Sequence, residues 1–256
     1  MAHIIVIDTE TISIDRPYCY NVGYVIYDTL STEYIIKKDF VVEQVWHNRP
    51  LFESAYYAEK RPLYVSAMRG KHTTMNKWGY IMREMANDIK KNNVELAYAY
   101  NSPFDDNVFT FNCDWFHTAN PLDDIPILDI RGMVSEYITN TQRYKEFCEE
   151  YKLFTEHGNY SGTAEAVFRF ITGNVDFEEA HTALADAEIE TMILQECLDR
   201  GAVIGKEYAV SRSIPRIIEK PLKIVIDNKV IHEGSFVKKW SKEGYYRFTS
   251  LKGMEG

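Results

Sequence analysis

No two of the four cysteines, Cys19, Cys113, Cys148 and Cys197, stand in a C-x-x-C spacing. That lack excludes the usual zinc and disulfide frameworks and leaves scattered core thiols. No apolar run approaches the roughly 20 residues of a membrane span, so no membrane partner is expected. The opening apolar run, His3 to Ile7, is short, and the first candidate functional residue already stands at position 8. Removal of a leader would destroy that position, and a reducing, soluble, cytoplasmic setting is expected. No glycine-rich turn follows the first apolar stretch, which disfavours a dinucleotide-binding fold. Repeats and low-complexity segments are lacking as well.

What is present is ordinary globular material: 256 residues, 45% hydrophobic and 26% charged. A chain of this length buries roughly 70–75% of its unfolded surface, enough for a core without staples. The net charge of −9 argues against a polyanionic partner, but its distribution does not. Residues 201–256 hold eleven Lys and Arg against six Asp and Glu, while the remainder holds eighteen against thirty-two. A basic tail on an acidic body suggests a polyanion footprint; a solvated tail surface is the plainer reading.

The apolar patterning predicts the elements. HIIVI, 3–7, reads as a buried strand, and 20–28 with 33–42 as a hairpin turning around Asp28 to Ser31. Residues 73–91 carry Met75, Trp78, Ile81, Met82, Met85 and Ile89 on one helical stripe. ELAYAY, 95–100, and PILDI, 126–130, read as further strands, with a helix starting near Pro103 between them. Helices are expected over 131–139, 142–152, 163–171 (started by Ser161) and 180–199, the last stopped by Gly201. Residues 202–221 look like a linker. LKIVI, a turn at Asp227–Asn228, KVIH, SFVKKW, a turn around Gly244 and YYRFTSL then suggest a small antiparallel meander.

Three short stretches hold the chemistry: Asp8 and Glu10 in IIVIDTE, Asp105 in NSPFD, and His181 with Asp186 in HTALADAE. Each alone has a plainer reading. Asp8 and Glu10 could be strand-end acids in a turn. Asp105, or equally Asp106, could be an acid favoured at a helix start. His181 could be a cap or a surface residue. Taken together they suit phosphodiester hydrolysis, which needs an activated water and a stabilised leaving oxygen; two cations about 3.5–4 Å apart supply both. Hard Mg²⁺ or Mn²⁺ prefers carboxylate oxygen. Alternation along a strand places Asp8 and Glu10 on one side. The five-residue step from His181 to Asp186 works best with the histidine on a loop and the aspartate inside the helix. A histidine titrating near neutrality suits a general base.

These three stretches resemble the motifs of the DEDDh 3′–5′ exonuclease family, which includes epsilon-type proofreading subunits of bacterial replicative polymerases such as DNA polymerase III, ribonuclease T and oligoribonuclease. IIVIDTET, NSPFDDNVF and HTALADAEIE look like its first, second and third motifs, and PILDIRGMV like the segment between the last two. The similarity spans about residues 3–198, and the H-x-x-x-x-D form indicates the histidine branch. One departure is Ser13, where many members have glycine. The resemblance implies that Asp8 bridges two metals, Glu10 and Asp186 complete the nucleophile-side site, Asp105 holds the second ion, and His181 takes the proton from water; Asn101 and Phe104 would shape the site. The order of strands and helices reads as an α/β fold with a mixed five-stranded sheet flanked by helices, which fits a ribonuclease H-like sheet, and the strand pattern after the linker adds a small C-terminal antiparallel β appendage.

The expected organisation is an exonuclease domain over 1–200, a linker over 201–221 and a basic β-meander over 222–256. The expected substrate is single-stranded nucleic acid with a free 3′ end, DNA favoured over RNA, cut with two Mg²⁺ or Mn²⁺. The alternative is a nucleic-acid-binding accessory subunit with weak or dispensable nuclease activity. In the segment 43–72, Trp46, Tyr56, Tyr57 and Tyr64 interleave with Arg49, Lys60, Arg61 and Arg69; such a mix suits base stacking, or equally an aromatic core face. The meander, with Lys238, Lys239 and Arg247, suits a substrate clamp; its edge strands suit docking to a DNA polymerase or to a second copy of the chain.

Overall fold

The computed structural model describes residues 3–211 and 214–216, and the backbone of 218–226, 229–240 and 246–252. Six strands form one mixed sheet: β1 (His3–Thr11), β2 (Cys19–Asp28), β3 (Glu33–Val42), β4 (Thr74–Asn76), β5 (Ala97–Ala99) and β6 (Ile127–Asp129), in the order β4-β3-β2-β1-β5-β6. The first three strands form an antiparallel meander. β5 and β6 add in parallel beside β1, and β4 adds in parallel outside β3.

The sheet thus has one strand more than the five expected. The extra strand is only three residues long, too short for an alternation pattern to show, and its Met75 falls in phase with the helical stripe that follows. That helix, α4 (Trp78–Lys91), begins after the strand. The others are α1 (Glu43–His47), α2 (Arg49–Glu53), α3 (Arg61–Arg69), α5 (Ser102–Phe116), α6 (Ile130–Val134), α7 (Gln142–Tyr151), α8 (Ala164–Thr172) and α9 (Ala183–Asp199). A π turn at Ser135–Thr139 separates α6 from α7. Thr163, not Ser161, caps α8, its hydroxyl accepting from the Ala166 N–H at 3.2 Å. Gly201 follows α9 at φ 102°, a conformation glycine adopts without Cβ strain.

Alternation along β1 sorts the two layers. Ile5 and Ile7 pack with Trp78, Ile81 and Met85 of α4 and with Val108 and Phe109 of α5. Ile4 and Val6 pack on the opposite face with Ile189, Ile193 and Leu194 of α9 and with α6 to α8. Each such fully buried side chain contributes about 1.5–3 kcal/mol of transfer free energy. The segment between β3 and β4, which suited either base stacking or a core, divides its residues: Trp46, Phe52 and Tyr64 are buried in the α4–α5 layer, whereas Tyr56 is exposed.

β7 (Ile218–Ile226), β8 (Lys229–Trp240) and β9 (Tyr246–Lys252) form a separate antiparallel sheet in that order. β7 starts inside the stretch read as linker. The expected turns at Asp227–Asn228 and around Gly244 lie outside the described residues, as do the side chains of Lys238, Lys239 and Arg247. Among the described residues no helix is long and apolar enough to cross a membrane.

Candidate active site

The same alternation that sends Ile4 and Val6 toward α9 carries on to Asp8 and Glu10 at the end of β1. α9 runs against that face and brings Asp186 in its first turn and Glu190 one turn later. Asp105 arrives from the other layer, in the first turn of α5 just past β5. Between the two β1 acids, the Thr9 hydroxyl points the opposite way and donates to Asp105 Oδ1 at 2.7 Å. Burial separates the two adjacent aspartates: Asp105 is buried and Asp106 exposed.

Two features of β2 seat the start of α9. In the sheet register Asp8 lies opposite Gly23 and Glu10 opposite Asn21. A Cβ on Gly23 would lie 2.1 Å from the Ala183 carbonyl carbon and 2.1 Å from the Leu184 nitrogen. Only glycine lets the helix end come this close. Thr182, at the N-cap position, makes no side-chain cap. Asn21 does that work from the neighbouring strand: its Oδ1 accepts from the Ala183 N–H at 2.8 Å and from the Tyr64 hydroxyl at 3.0 Å. Its Nδ2 donates to Asp39 Oδ1 at 2.6 Å and to the Phe40 carbonyl at 3.0 Å. Asp39 also accepts from the Thr73 hydroxyl. This buried polar group is satisfied on both ends, as burial demands.

His181 lies on the loop before α9 at φ 49°, and Asp186 lies inside the helix. One ligand atom each from Glu10, His181 and Asp186 falls within 4.8 Å of the others. Asp8 is close enough to feel the charges of Glu190, Asp105, Glu10 and Asp186. Of the five residues singled out in the sequence, Glu10, His181 and Asp186 thus come within ligand distance of one another, while Asp8 and Asp105 are linked to them through their charges and through Thr9.

The electrostatics record that crowding. Burial, then Glu190 and the other carboxylates, push Asp8 well above the usual carboxylate range. Burial and then Asp186 raise Glu10 to about 8, opposed by Lys60 and by the Tyr20 hydroxyl 3.4 Å away. Burial raises Asp105 to about 7 against the Thr9 hydrogen bond. Burial and then Glu179 raise Asp186 to about 7 against Lys60. His181 moves the other way, lowered by burial and then by Lys60. Desolvated acids that raise one another in this way are what a cation relieves. A second observation agrees: Asp186 Oδ1 is buried with no hydrogen-bond partner among the described residues.

Several contributors were not assigned to the site from the sequence. Glu190 is buried, accepts from the Tyr100 N–H at 3.0 Å, and is raised by burial and then by Asp105. Its signal was available: an acid four residues after Asp186 on one helix face. Lys60 is the cation that lowers Glu10 and Asp186. Asn21 and Gly23 hold no functional group in the site and gave no local signal.

No protein-family model and no curated protein sequence matches this chain. Solved structures do. The nuclease domain of 3′hExo, described as a DEDDh family member and bound to rAMP, superposes with a TM-score of 0.51 at 11% identity, over 83% of this chain and 97% of that one. A 3′-exonuclease in 3′-end-specific recognition of a histone mRNA stem-loop gives 0.53 at 10% identity, over 97% and 94%. A full-length 3′-exonuclease gives 0.50 at 12% identity, over 97% and 70%. At such identities the likeness establishes the fold, a ribonuclease H-like mixed sheet flanked by helices.

Proposed function

We propose that this chain is a metal-dependent 3′–5′ exonuclease that shortens single-stranded nucleic acid and releases nucleoside 5′-monophosphates. The observation that carries the reading is the cluster of Glu10, His181 and Asp186, with the buried Asp8 and Asp105 close enough to share its charge and one Asp186 oxygen buried with no hydrogen-bond partner among the described residues. A binding module has no need for so many desolvated acids in mutual repulsion. The donor set, carboxylate oxygen with one imidazole, fits hard divalent ions. Asp8, Glu10 and Asp186 would hold the ion on the nucleophile side, and Asp8 with Asp105 the second. Two Mg²⁺ or Mn²⁺ ions, when bound, supply Lewis acidity and neutralise charge on the phosphate and the leaving oxygen.

The remaining work falls to the chain. His181, its pKa lowered by burial and then by Lys60, is neutral near pH 7 and accepts a proton on a ring nitrogen from the attacking water. The water oxygen bonds to phosphorus, and the bond to the 3′ oxygen of the preceding nucleotide breaks. Thr9 fixes the Asp105 carboxylate through its 2.7 Å hydrogen bond. The test uses 5′-labelled single-stranded DNA and RNA of one sequence, with Mn²⁺ or EDTA. A metal-dependent ladder shrinking from the 3′ end is expected, and the faster strand names the sugar. Folded protein that cuts neither strand in Mn²⁺ overturns the proposal; tight, EDTA-insensitive binding without turnover would identify an accessory subunit instead.

A further inference from the structure

Tyr57 and Lys60 lie outside the three motif stretches, in the turns between α2 and α3, yet both reach the site. The Tyr57 ring stacks on the His181 imidazole, with centroids 4.5 Å apart and planes 14° from parallel. Lys60 Nζ lies 4.5 Å from the centroid of the Tyr57 ring and donates to the Ala180 carbonyl at 2.6 Å. One lysine therefore holds both the ring that covers His181 and the residue before it.

His181 needs such a hold. Its φ of 49° is a left-handed conformation that a non-glycine residue keeps only where its surroundings impose it. Its charged neighbours do not fix the ring. Glu179 Oε2 stands 3.8 Å from Nδ1, beyond hydrogen-bond reach. Glu10 and Asp186 each bring a carboxylate oxygen within 4.8 Å of one of its ring nitrogens. Among the described residues no hydrogen bond reaches either imidazole nitrogen. The Tyr57 ring is the contact that sets the imidazole plane.

We propose that Tyr57 and Lys60 are positioning residues for His181, Tyr57 by stacking on the imidazole and Lys60 by fixing Tyr57 and the Ala180 carbonyl together. The proposal rests on the exonuclease reading for its effect on rate, but not for the stack itself. It also gives the helical segment between β3 and β4 a role at the reaction centre: its inner aromatics anchor it in the core, and its turn reaches over the histidine loop.

The experiment compares the full chain with Tyr57→Ala, Tyr57→Phe and Lys60→Met. One readout is the proton–carbon NMR spectrum of the histidine rings, with the His181 signals assigned by their loss in His181→Asn. The other is steady-state cleavage of a 5′-labelled strand with Mn²⁺. Loss of the ring current should move the His181 signals in Tyr57→Ala and leave them in place in Tyr57→Phe. In the same variant kcat should fall about 10- to 100-fold, the cost of a misplaced catalytic group, with KM changed less than about twofold; Tyr57→Phe should restore it. Lys60→Met should move the same signals and lower kcat in the same direction. Unmoved His181 signals in Tyr57→Ala overturn the proposal. So does a rise in KM with kcat unchanged, which would make Tyr57 a strand-binding ring. A wild-type chain that cuts nothing, while Tyr57→Ala still moves the signals, overturns the exonuclease reading and supports the stack.

Discussion

Asp8 and Glu10 are placed by a strand, whereas His181 and Asp186 are placed by a helix end resting on that strand's neighbour. The first half of the site is nearly self-made. β1 is paired on both sides, and alternation alone turns both acids toward α9. The second half depends on residues far away in sequence: the Gly23 notch, the Asn21 cap and the Tyr57–Lys60 contact. Chemistry is shared by the two halves, but positioning is not. The α9 half should therefore be the one that distant substitutions damage.

The largest effects treat the halves alike. Asp8→Ala and Asp186→Ala should each lower 3′-end cleavage by about 10³-fold while far-ultraviolet circular dichroism stays that of the wild type. Full activity in both would show that the reacting groups lie elsewhere. The next substitution separates the halves. Gly23→Ala drives a methyl into the backbone of Ala183 and Leu184, and should cost about 2–3 kcal/mol in urea denaturation together with most of the activity. An unchanged midpoint and rate would remove the notch from the account. Asn21→Ala leaves the Ala183 N–H and the Tyr64 hydroxyl without their acceptor. It should cost about 2 kcal/mol and loosen the start of α9, read as faster amide exchange at Ala183. Exchange that matches the wild type would contradict the cap.

The last comparison is a slope with pH in EDTA. Glu10 is raised to about 8 and Asp105 and Asp186 to about 7, all chiefly by burial. The unfolded carboxylates titrate near pH 4. Between these limits the folded chain holds more protons than the unfolded one, so the site's contribution to stability is present below about pH 4 and is lost as pH rises toward 8. Asp186→Asn should flatten that slope and raise the melting temperature in EDTA at pH 8. A steeper slope in the variant would mean that the repulsion has another source.

How much of this was readable in the sequence follows the same division. β1, the hairpin and the three motif stretches declare themselves locally, because a strand's alternation and a helix's caps lie within a few residues. His181 before the helix and Asp186 within it follow from their spacing. By residue type Asp105 and Asp106 look alike; the resemblance of NSPFD to the second motif points to Asp105, and the structure buries it beneath Thr9 while leaving Asp106 exposed. β4 escaped because three residues carry no period. Glu190 is legible only as an acid one turn after Asp186, and its burial is what brings it to the site. Asn21 and Gly23 are different in kind: they interrupt an apolar strand for the sake of a helix end about 160 residues later, and nothing near them in sequence says so. The aromatic–basic segment shows its composition but not its partition: Trp46 and Tyr64 are buried, whereas Tyr57 and Lys60 contact the histidine loop.

The most direct test of the central claim, that the two halves are brought together to share divalent ions, is the melting temperature of the wild-type chain at pH 8 with excess Mn²⁺ against EDTA. The melting temperature should rise with Mn²⁺, by less at pH 5, where protons relieve the same repulsion, and not at all in Asp186→Asn. A folded chain whose melting temperature ignores Mn²⁺ at pH 8 would contradict the claim.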